Sequence, residues 1–149
     1  MGDGMTGERA VHRTLGRDTC LSLLCSVDVG RVAWATDDGE VTVVPVNFTL
    51  AGEDIVFGTA AGGKLDAVRS GRMISFEADD LEPALRSGWS VLAVGRAEIT
   101  AETEPAGLWP VPWDRRPKPY LIRLHPERVS GYRLLPRGGG VSIERLNGP

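Results

Sequence analysis

The chain has 149 residues, a length suited to one domain with a substantial hydrophobic core. Its formal net charge of −3 offers no overall positive field for nucleic acid or an acidic membrane surface, so we expect neither as a partner. No apolar run is long enough to span a membrane and no secretory signal opens the chain, which predicts a cytoplasmic protein.

One folded domain is predicted over residues 13–135, between a disordered leader at 1–12 and a glycine-rich tail at 136–149. Cys20 and Cys25 are the only cysteines. Five positions apart on a predicted helix, they point in different directions and cannot form a disulfide while that helix persists. We therefore expect two buried, reduced thiols, as is usual in the cytoplasm.

The first half of the chain predicts a helix followed by three strands. The helix should begin near Asp18, because aspartate favours the N-cap position. Asp37-Asp38-Gly39 is a typical hairpin turn between the first two strands. A short helix over 64–70 follows the third strand and is closed by Gly71. The three strands are predicted at residues 27–36, 41–50 and 55–59.

The second half of the chain is predicted to be mainly strand. A polar connection is expected at 79–88, and Gly95 indicates a bulge or bend inside the strand that follows. Strands are predicted at residues 72–77, 89–102, 120–124 and 128–134. Because hairpins join most of these strands and no strand–helix alternation occurs, the pattern predicts a mainly β protein, an antiparallel barrel of six or so strands with a few short helices.

Residues 55–65 read Ile-Val-Phe-Gly-Thr-Ala-Ala-Gly-Gly-Lys-Leu and contain the parts of a phosphate site. The Thr59 hydroxyl, the bare backbone at Gly62-Gly63 and the Lys64 ammonium come together where a strand gives way to a helix. The alternative interpretation is a flexible turn followed by a solvated lysine. Gly58-x-x-x-x-Gly63-Lys64 also approaches a P-loop, but Leu65 replaces the hydroxyl that binds Mg²⁺, so we do not expect a triphosphate hydrolase.

The order and spacing of several segments carry a resemblance to a known family. Over residues 14–134 the chain resembles the pyridoxamine 5′-phosphate oxidase-like proteins, the FMN-binding split barrels, and in particular their short actinobacterial branch. The segments are Val43-Val44-Pro45-Val46-Asn47-Phe48, Ile55-Val56-Phe57-Gly58-Thr59, Gly63-Lys64, Ile74-Ser75-Phe76-Glu77 and the stretch from Gly88 to Glu98. The resemblance implies a six-stranded antiparallel split β-barrel that works as a homodimer, with two cofactor sites at the subunit interface. FMN is the usual cofactor, and some relatives use a deazaflavin coenzyme or haem instead.

The resemblance assigns the FMN phosphate to Thr59 and Lys64, in a segment that also includes Ala60 and Gly63. One lysine does not neutralise a phosphate of about −1.5 to −2 charges, so a second cation is expected. The candidates are Arg72, Arg115, Arg116 and Lys118, although a solvated loop cluster is the alternative for the last three.

The flavin ring would lie against the strand that contains Val44, Pro45, Val46 and Asn47. Because Pro45 lacks an N–H and interrupts the ladder, neighbouring backbone groups could face a ligand. An ordinary edge-strand bulge, with Asn47 capping a turn, is the alternative. Other expected contacts come from Trp89 and Ser90 across the dimer and from Trp113 as a wall over the ring. Trp89 could equally be a core residue, and Trp113 an interface plug.

These features predict a flavin-dependent oxidoreductase that acts on an unknown small molecule, with the redox chemistry supplied by the cofactor. Oxidation of pyridoxamine phosphate is not expected. Residues 41–47 lack the basic pair of the true vitamin B6 oxidases, Gly63 replaces an arginine, and Arg123-Leu124-His125 lies too early to be their C-terminal Arg-x-His. The alternative is a non-catalytic carrier or sensor of flavin, deazaflavin or haem. His12 and His125 lie in no ligand-spaced cluster, so we expect no metal site.

Overall fold

The structure is a computed structural model that describes residues 12–101, 110, 113, 114 and 116–136. The predicted leader and tail lie almost wholly outside these residues, and the domain boundaries stay predictions. The described strands are β1 His12–Leu15, β2 Val29–Ala35, β3 Val41–Ala51, β4 Asp54–Thr59, β5 Ile74–Glu82, β6 Ser87–Ala101 and β7 Tyr120–Leu134. The described helices are α1 Arg17–Leu24 and α2 Gly63–Arg69.

Six strands close into an antiparallel barrel. The order β7-β4-β3-β2-β5-β6 returns on itself because β6 also pairs with β7, while β1 adds to the free part of β7. The prediction of a mainly β, six-stranded antiparallel barrel with a few short helices is therefore confirmed. Neither of the two described helices is long and apolar enough to cross a lipid bilayer.

The barrel is filled by alternate side chains of each strand, as the two-residue period of a strand requires. Phe57, Phe76 and Ile122 are fully buried, and the Phe48 and Phe76 rings meet edge to face with centroids 4.7 Å apart. Burying each such side chain contributes about 1.5–3 kcal/mol. Gly30 is needed beside Phe76, because a Cβ there would come 2.3 Å from that ring.

The barrel is split between β3 and β4. These strands pair only where Phe48–Ala51 face Asp54–Phe57, and earlier residues of β3 pair with β2 alone. The ladder between β3 and β2 continues through Pro45, which lies opposite Arg31. The free edge at 41–47 therefore arises because β4 diverges from β3, whereas the sequence had suggested that Pro45 itself interrupts the ladder.

Several predicted boundaries were wrong for identifiable physical reasons. The polar stretch at 79–88 is a hairpin that continues β5 and β6, with Asp79 paired to Ser90, because the exposed end of an antiparallel sheet needs no apolar face. The two last strands form one strand, β7, with an irregularity where Gly95 lies opposite Pro126. The N-cap of α1 is Gly16, which has no side-chain cap, and Asp18 lies in the first turn.

The two cysteines differ in exposure. Both thiols are free, as expected, but only Cys20 is buried, whereas Cys25 is exposed. Cys25 follows the last turn of α1 and is its C-cap, so it has already left the face that packs on the barrel. The expectation of a buried thiol is therefore confirmed for Cys20 and wrong for Cys25.

Candidate functional site

The gap between β3 and β4 holds two adjoining cavities. The first, of about 390 Å³, lies along the middle of β3 and is floored by Val29, Val44, Pro45 and Val46. The second, of about 480 Å³, surrounds the loop that joins β4 to α2. Both are lined by Val44, Lys64, Asp114, Arg116 and Lys118, so the cavities meet at the Lys64 side chain.

Asn47 lines the first cavity with an unpaired donor. Its side-chain oxygen accepts a hydrogen bond from the backbone N–H of Trp113, with an N···O distance of 2.9 Å. Its Nδ2 is buried and has no hydrogen-bond partner among the residues that the structure describes. A buried donor left unsatisfied costs about 1–3 kcal/mol, so the amide is suited to a ligand acceptor. The Trp113 side chain, 75% exposed, borders the same cavity.

The loop from β4 to α2 forms one wall of the second cavity, with Thr59, Ala60, Gly63 and Lys64 among its lining residues. Thr59 is buried and its hydroxyl donates to the Ala60 carbonyl at 3.0 Å. Gly62 has φ of 149°, a backbone conformation that favours glycine. Gly63 packs on the indole of Trp34, where an added Cβ would come 3.3 Å from the ring. Both glycines therefore shape the loop.

In the described part of the chain, three cations and one carboxylate meet between the two cavities. Arg116 donates to Asp114 through Nε at 2.6 Å, and this hydrogen bond is the main reason that the pKa of Asp114 falls to about 2. Lys118 Nζ donates to the Asp114 carbonyl oxygen at 3.1 Å. Burial lowers the pKa of Lys64, and the charges of Lys118 and Arg116 lower it further. The cluster has an excess of positive charge, which an anion would balance.

Most of the residues predicted for the flavin site lie at the two cavities. Nine of the predicted residues line one or both cavities: Val44, Pro45, Val46, Asn47, Thr59, Ala60, Gly63, Lys64 and Trp113. Of the candidate second cations, Arg116 and Lys118 reach the Lys64 cluster, whereas Arg115 lies outside the described residues. Arg72 instead donates to the Ala35 carbonyl at 2.6 Å and pairs with Asp37.

Trp89 and Ser90 line neither cavity within one chain. Trp89 is buried in the barrel core, and Ser90 lies on β6 between Asp79 and Tyr132 of the neighbouring strands. Their expected contribution across a dimer therefore stays a prediction. Sequence reasoning missed Val29 and Asp114. Val29 reaches the cavity through its pairing with Asn47, which no local pattern shows. For Asp114 the one available signal, which was not used, is its position just before the basic residues at 115–118.

The fold and the split between β3 and β4 are those of a known class. The chain belongs to the pyridoxamine 5′-phosphate oxidase family, whose sequence model matches residues 16–133. An uncharacterized protein of Mycobacterium tuberculosis is 33% identical over 129 residues, which are 81% of this chain and 84% of that protein.

Two solved structures are similar in both sequence and fold. The FAD binding protein from Mycobacterium smegmatis is 28% identical, with a TM-score of 0.62 over 83% of this chain and 99% of that one. A conserved protein of unknown function from Corynebacterium diphtheriae is 30% identical, with a TM-score of 0.65 over 83% and 98%. The first of these two similar proteins is therefore a flavin-binding protein by name.

Proposed function

We propose that the chain binds a flavin nucleotide in the split between β3 and β4 and acts as a flavin-dependent oxidoreductase on a small molecule. FMN is the simplest ligand that joins a flat apolar ring to a phosphate. The supporting observation is the junction of an apolar cavity with a cluster of three cations at Lys64. The name of the similar protein from Mycobacterium smegmatis, which binds FAD, supports a flavin as well.

The residues present suit both ends of such a ligand. Val44, Pro45 and Val46 offer an apolar surface for the ring, and the unpaired amide of Asn47 can donate to a ring carbonyl or nitrogen. Lys64, with Lys118 beside it, can hold the phosphate through charge-assisted hydrogen bonds. A bound flavin supplies the redox chemistry, while the chain orients the ring and keeps water from one of its faces.

The same geometry argues against oxidation of pyridoxamine phosphate. Residues 41–47, which border the ring cavity, carry no basic side chain for a second phosphate. Arg123 and His125, whose spacing mimics the substrate-binding pair of the B6 oxidases, instead pair with Asp54 on the neighbouring strand. Neither residue lines a cavity beside Lys64. We therefore propose a different small-molecule substrate.

The proposal includes a homodimer whose partner covers the open side of the ring cavity. The outer face of β3, β2, β5 and β6 carries a row of paired residues that contains Val43, Ala33, Ser75 and Val94. Val43 is 59% exposed and Leu92, in the next row, is 43% exposed. The face is mixed, because the row that joins Leu92 to Pro45 at the cavity also carries the ion pair of Arg31 with Glu77. Exposed apolar side chains beside such a pair favour a protein partner. A second copy is the occupant we propose.

The spectrum of the purified protein tests the proposed function. We expect a flavin spectrum, either as isolated or after addition of FMN. We also expect bleaching by NADPH, NADH or a reduced deazaflavin, and recovery in air. Flavin that binds but is reduced by none of these donors would instead indicate a carrier or sensor. A Soret band would indicate haem. Failure to bind flavin at micromolar concentrations would reject the proposal.

Light scattering coupled to size-exclusion chromatography tests the dimer. We expect twice the mass of one chain for the natural protein and a shift toward the monomer for Val43→Lys, because a buried lysine opposes association. Leu85→Lys is the matched control, since Leu85 is 42% exposed in the turn between β5 and β6 and lies off this face. A monomer in the natural protein, or equal effects of both variants, would contradict the proposed interface.

A further inference from the structure

Lysine is rare in this chain, and both of its lysines lie at the same place. Of the 17 lysine and arginine residues only two, Lys64 and Lys118, are lysines. They are far apart in sequence, yet each lines both the first and the second cavity. Arginine holds a phosphate through parallel hydrogen bonds, whereas lysine can also lose its proton and act as a nucleophile. The choice of lysine at this place therefore allows chemistry that the arginines of the chain do not.

The two amines differ in how they are held. Lys118 Nζ donates to the Asp114 carbonyl oxygen at 3.1 Å and lies 3.9 Å from Oδ2 of the same residue. Lys64 Nζ makes no hydrogen bond or ion pair with any residue that the structure describes, although it borders both cavities. Lys118 is therefore held as an ammonium, and Lys64 is open to a ligand.

The surroundings of Lys64 also favour its neutral form. Burial lowers the pKa of Lys64, the charges of Lys118 and Arg116 lower it further, and no carboxylate of the described residues acts against them. A lysine that is desolvated and lies beside other cations is an activated nucleophile, because a larger share of its amine carries a free electron pair. Lys64 meets both conditions at the wall of a cavity.

Arg116 and Lys118 can hold a phosphoryl group while the Lys64 amine reacts. Arg116 binds Asp114 through Nε and Nη2, each at 2.6 Å, which leaves Nη1 without a partner among the described residues. With Lys64 neutral, these two cations still outnumber the one carboxylate that they share. A small phosphorylated molecule can therefore be bound here without the charge of Lys64.

From the open amine of Lys64 beside two cations in one cavity, we propose that this lysine, in the flavin-free protein, is a site of acylation by small acyl phosphates. Lys64 Nζ attacks the acyl carbon and forms an N–C bond. The C–O bond to the phosphate breaks, and inorganic phosphate leaves with the bonding electron pair. The nitrogen then gives its proton to water, and a neutral amide remains. The acyl phosphate brings its own leaving group, so no further reactant is needed.

Acylation of Lys64 blocks the phosphate end of the proposed flavin site. The amide has neither the charge nor the three donors of the ammonium, so FMN loses its contact with Lys64. The apolar surface at Val44, Pro45 and Val46 is unchanged. Conversely, bound FMN covers the amine and protects it. This consequence rests on the proposed function, whereas the acylation itself does not.

Acetyl phosphate is the probe, and Lys118 is the control within the same molecule. The full chain without flavin is incubated with acetyl phosphate, and the acetylation of each lysine is followed by mass spectrometry of peptides. We expect Lys64 to react about tenfold or more faster than Lys118, which must first give up a charge-assisted hydrogen bond. Equal rates, a faster reaction at Lys118 or no acetylation of either lysine would overturn the inference.

Arg116→Gln tests whether the phosphoryl group is recognised. Acetic anhydride has no phosphate and reports the reactivity of the amine alone. The variant should slow acetylation of Lys64 by acetyl phosphate about tenfold more than acetylation by the anhydride. Arg96→Gln is the matched control and should change neither rate, because Arg96 pairs with Glu127 at 2.9 Å on the surface and lines neither cavity. Equal slowing with both reagents in Arg116→Gln would overturn the inference.

Addition of flavin separates the modification from the proposed function. FMN should protect Lys64 from acetyl phosphate, and the acetylated protein should bind FMN roughly tenfold to a hundredfold more weakly, with riboflavin affected much less. If Lys64 were acetylated selectively and FMN bound without slowing the reaction, the proposed position of the flavin phosphate would be wrong and the acylation site would stand.

Discussion

Two clusters of charged residues on this barrel look alike in sequence and differ in their balance of charge. At the split, among the residues that the structure describes, Lys64, Arg116 and Lys118 face one carboxylate, that of Asp114. On the opposite side of β4, Arg123 and His125 of β7 lie within 3.1 Å of Asp54 carboxylate oxygens, and His125 also lies 3.0 Å from Glu98. The first cluster has excess cations beside two cavities, whereas the second is matched, cation to carboxylate, on the surface.

The difference separates a binding role from a structural one. A matched cluster needs no further counter-ion, although Arg123 Nε is buried with no hydrogen-bond partner among the described residues. Its exposed ion pairs are worth little, about 0–1 kcal/mol each. An unmatched cluster beside a cavity raises the energy of the free protein, and burial already lowers the pKa of Lys64. An anion relieves that cost. The count of opposing charges, more than the number of basic residues, therefore distinguishes the phosphate site that we propose.

The largest effect is expected for Lys64→Ala. Loss of one charge-assisted contact of about 1.5–3 kcal/mol should weaken FMN roughly tenfold to a hundredfold. Riboflavin, which has no phosphate, should be affected much less. Titrations of both ligands, monitored by flavin fluorescence, measure the two effects side by side.

Arg123→Ala provides the matched control for Lys64→Ala, because it removes a cation from the balanced cluster. We expect it to leave the affinities for FMN and riboflavin unchanged. An equal loss of both ligands in Lys64→Ala, or an equal loss of FMN in both variants, would contradict the distinction between the clusters.

A smaller effect, equal for FMN and riboflavin, is expected for Asn47→Asp. The aspartate can still accept the hydrogen bond from the Trp113 backbone but offers no donor to the ring. Loss of that donor should weaken FMN and riboflavin alike, by about tenfold. The same titrations measure it. If FMN alone were weakened, Asn47 would belong to the phosphate end and the proposed orientation of the ring would be wrong.

The smallest effect is the pH dependence of folding stability that comes from His125 in the balanced cluster. The hydrogen-bonded Glu98 carboxylate raises the pKa of His125 above its usual value, with help from Asp54 and against a weaker effect of burial. A raised folded-state pKa means that the added stability is fully present below about pH 6.5 and is lost as the pH rises through the folded value. Because the site is exposed, the gain should stay under about 1 kcal/mol.

His125→Gln checks this pH dependence. Melting temperatures of the natural protein and the variant should differ most at about pH 5.5 and converge at about pH 8.5. At the higher pH the His125 imidazole is neutral in both the folded and the unfolded protein. FMN affinity should be the same in both proteins throughout. A difference in melting temperature that grows with pH would reverse the predicted sign and exclude the carboxylates as its cause.

Much of the barrel follows from the sequence, because turn residues and β-branched runs are local signals. Asp37-Asp38-Gly39 marked the hairpin between β2 and β3, and the end of β4 was predicted at Thr59. The hairpin at 79–88 was missed since its polar side chains, such as Asp79 and Asp80, show no buried face. Hydrophobic periodicity reports burial, and an exposed ribbon is stabilised by its backbone ladder instead.

The site was predictable where its residues are adjacent in sequence and not where the sheet brings them together. Thr59, Gly63 and Lys64 form one local segment, which the spacing of glycine and lysine indicated. Val29 meets Asn47 only through the register of β2 with β3. The divergence of β4 from β3, which opens the cavities, depends on where pairing stops after Phe48. No local pattern encodes that point.

The pairing of β7 with three other strands has a consequence for folding during synthesis on the ribosome. Tyr120–Leu134 supplies partners to β1, β4 and β6 at once, and its ladders with β1 and β4 span the largest sequence separations in the sheet. A nascent chain that ends before Tyr120 exposes the unpaired edges of β4 and β6, which are sites for association with other chains. Non-local pairing of this kind is also slow. Closure of the barrel must therefore wait until translation has passed residue 134.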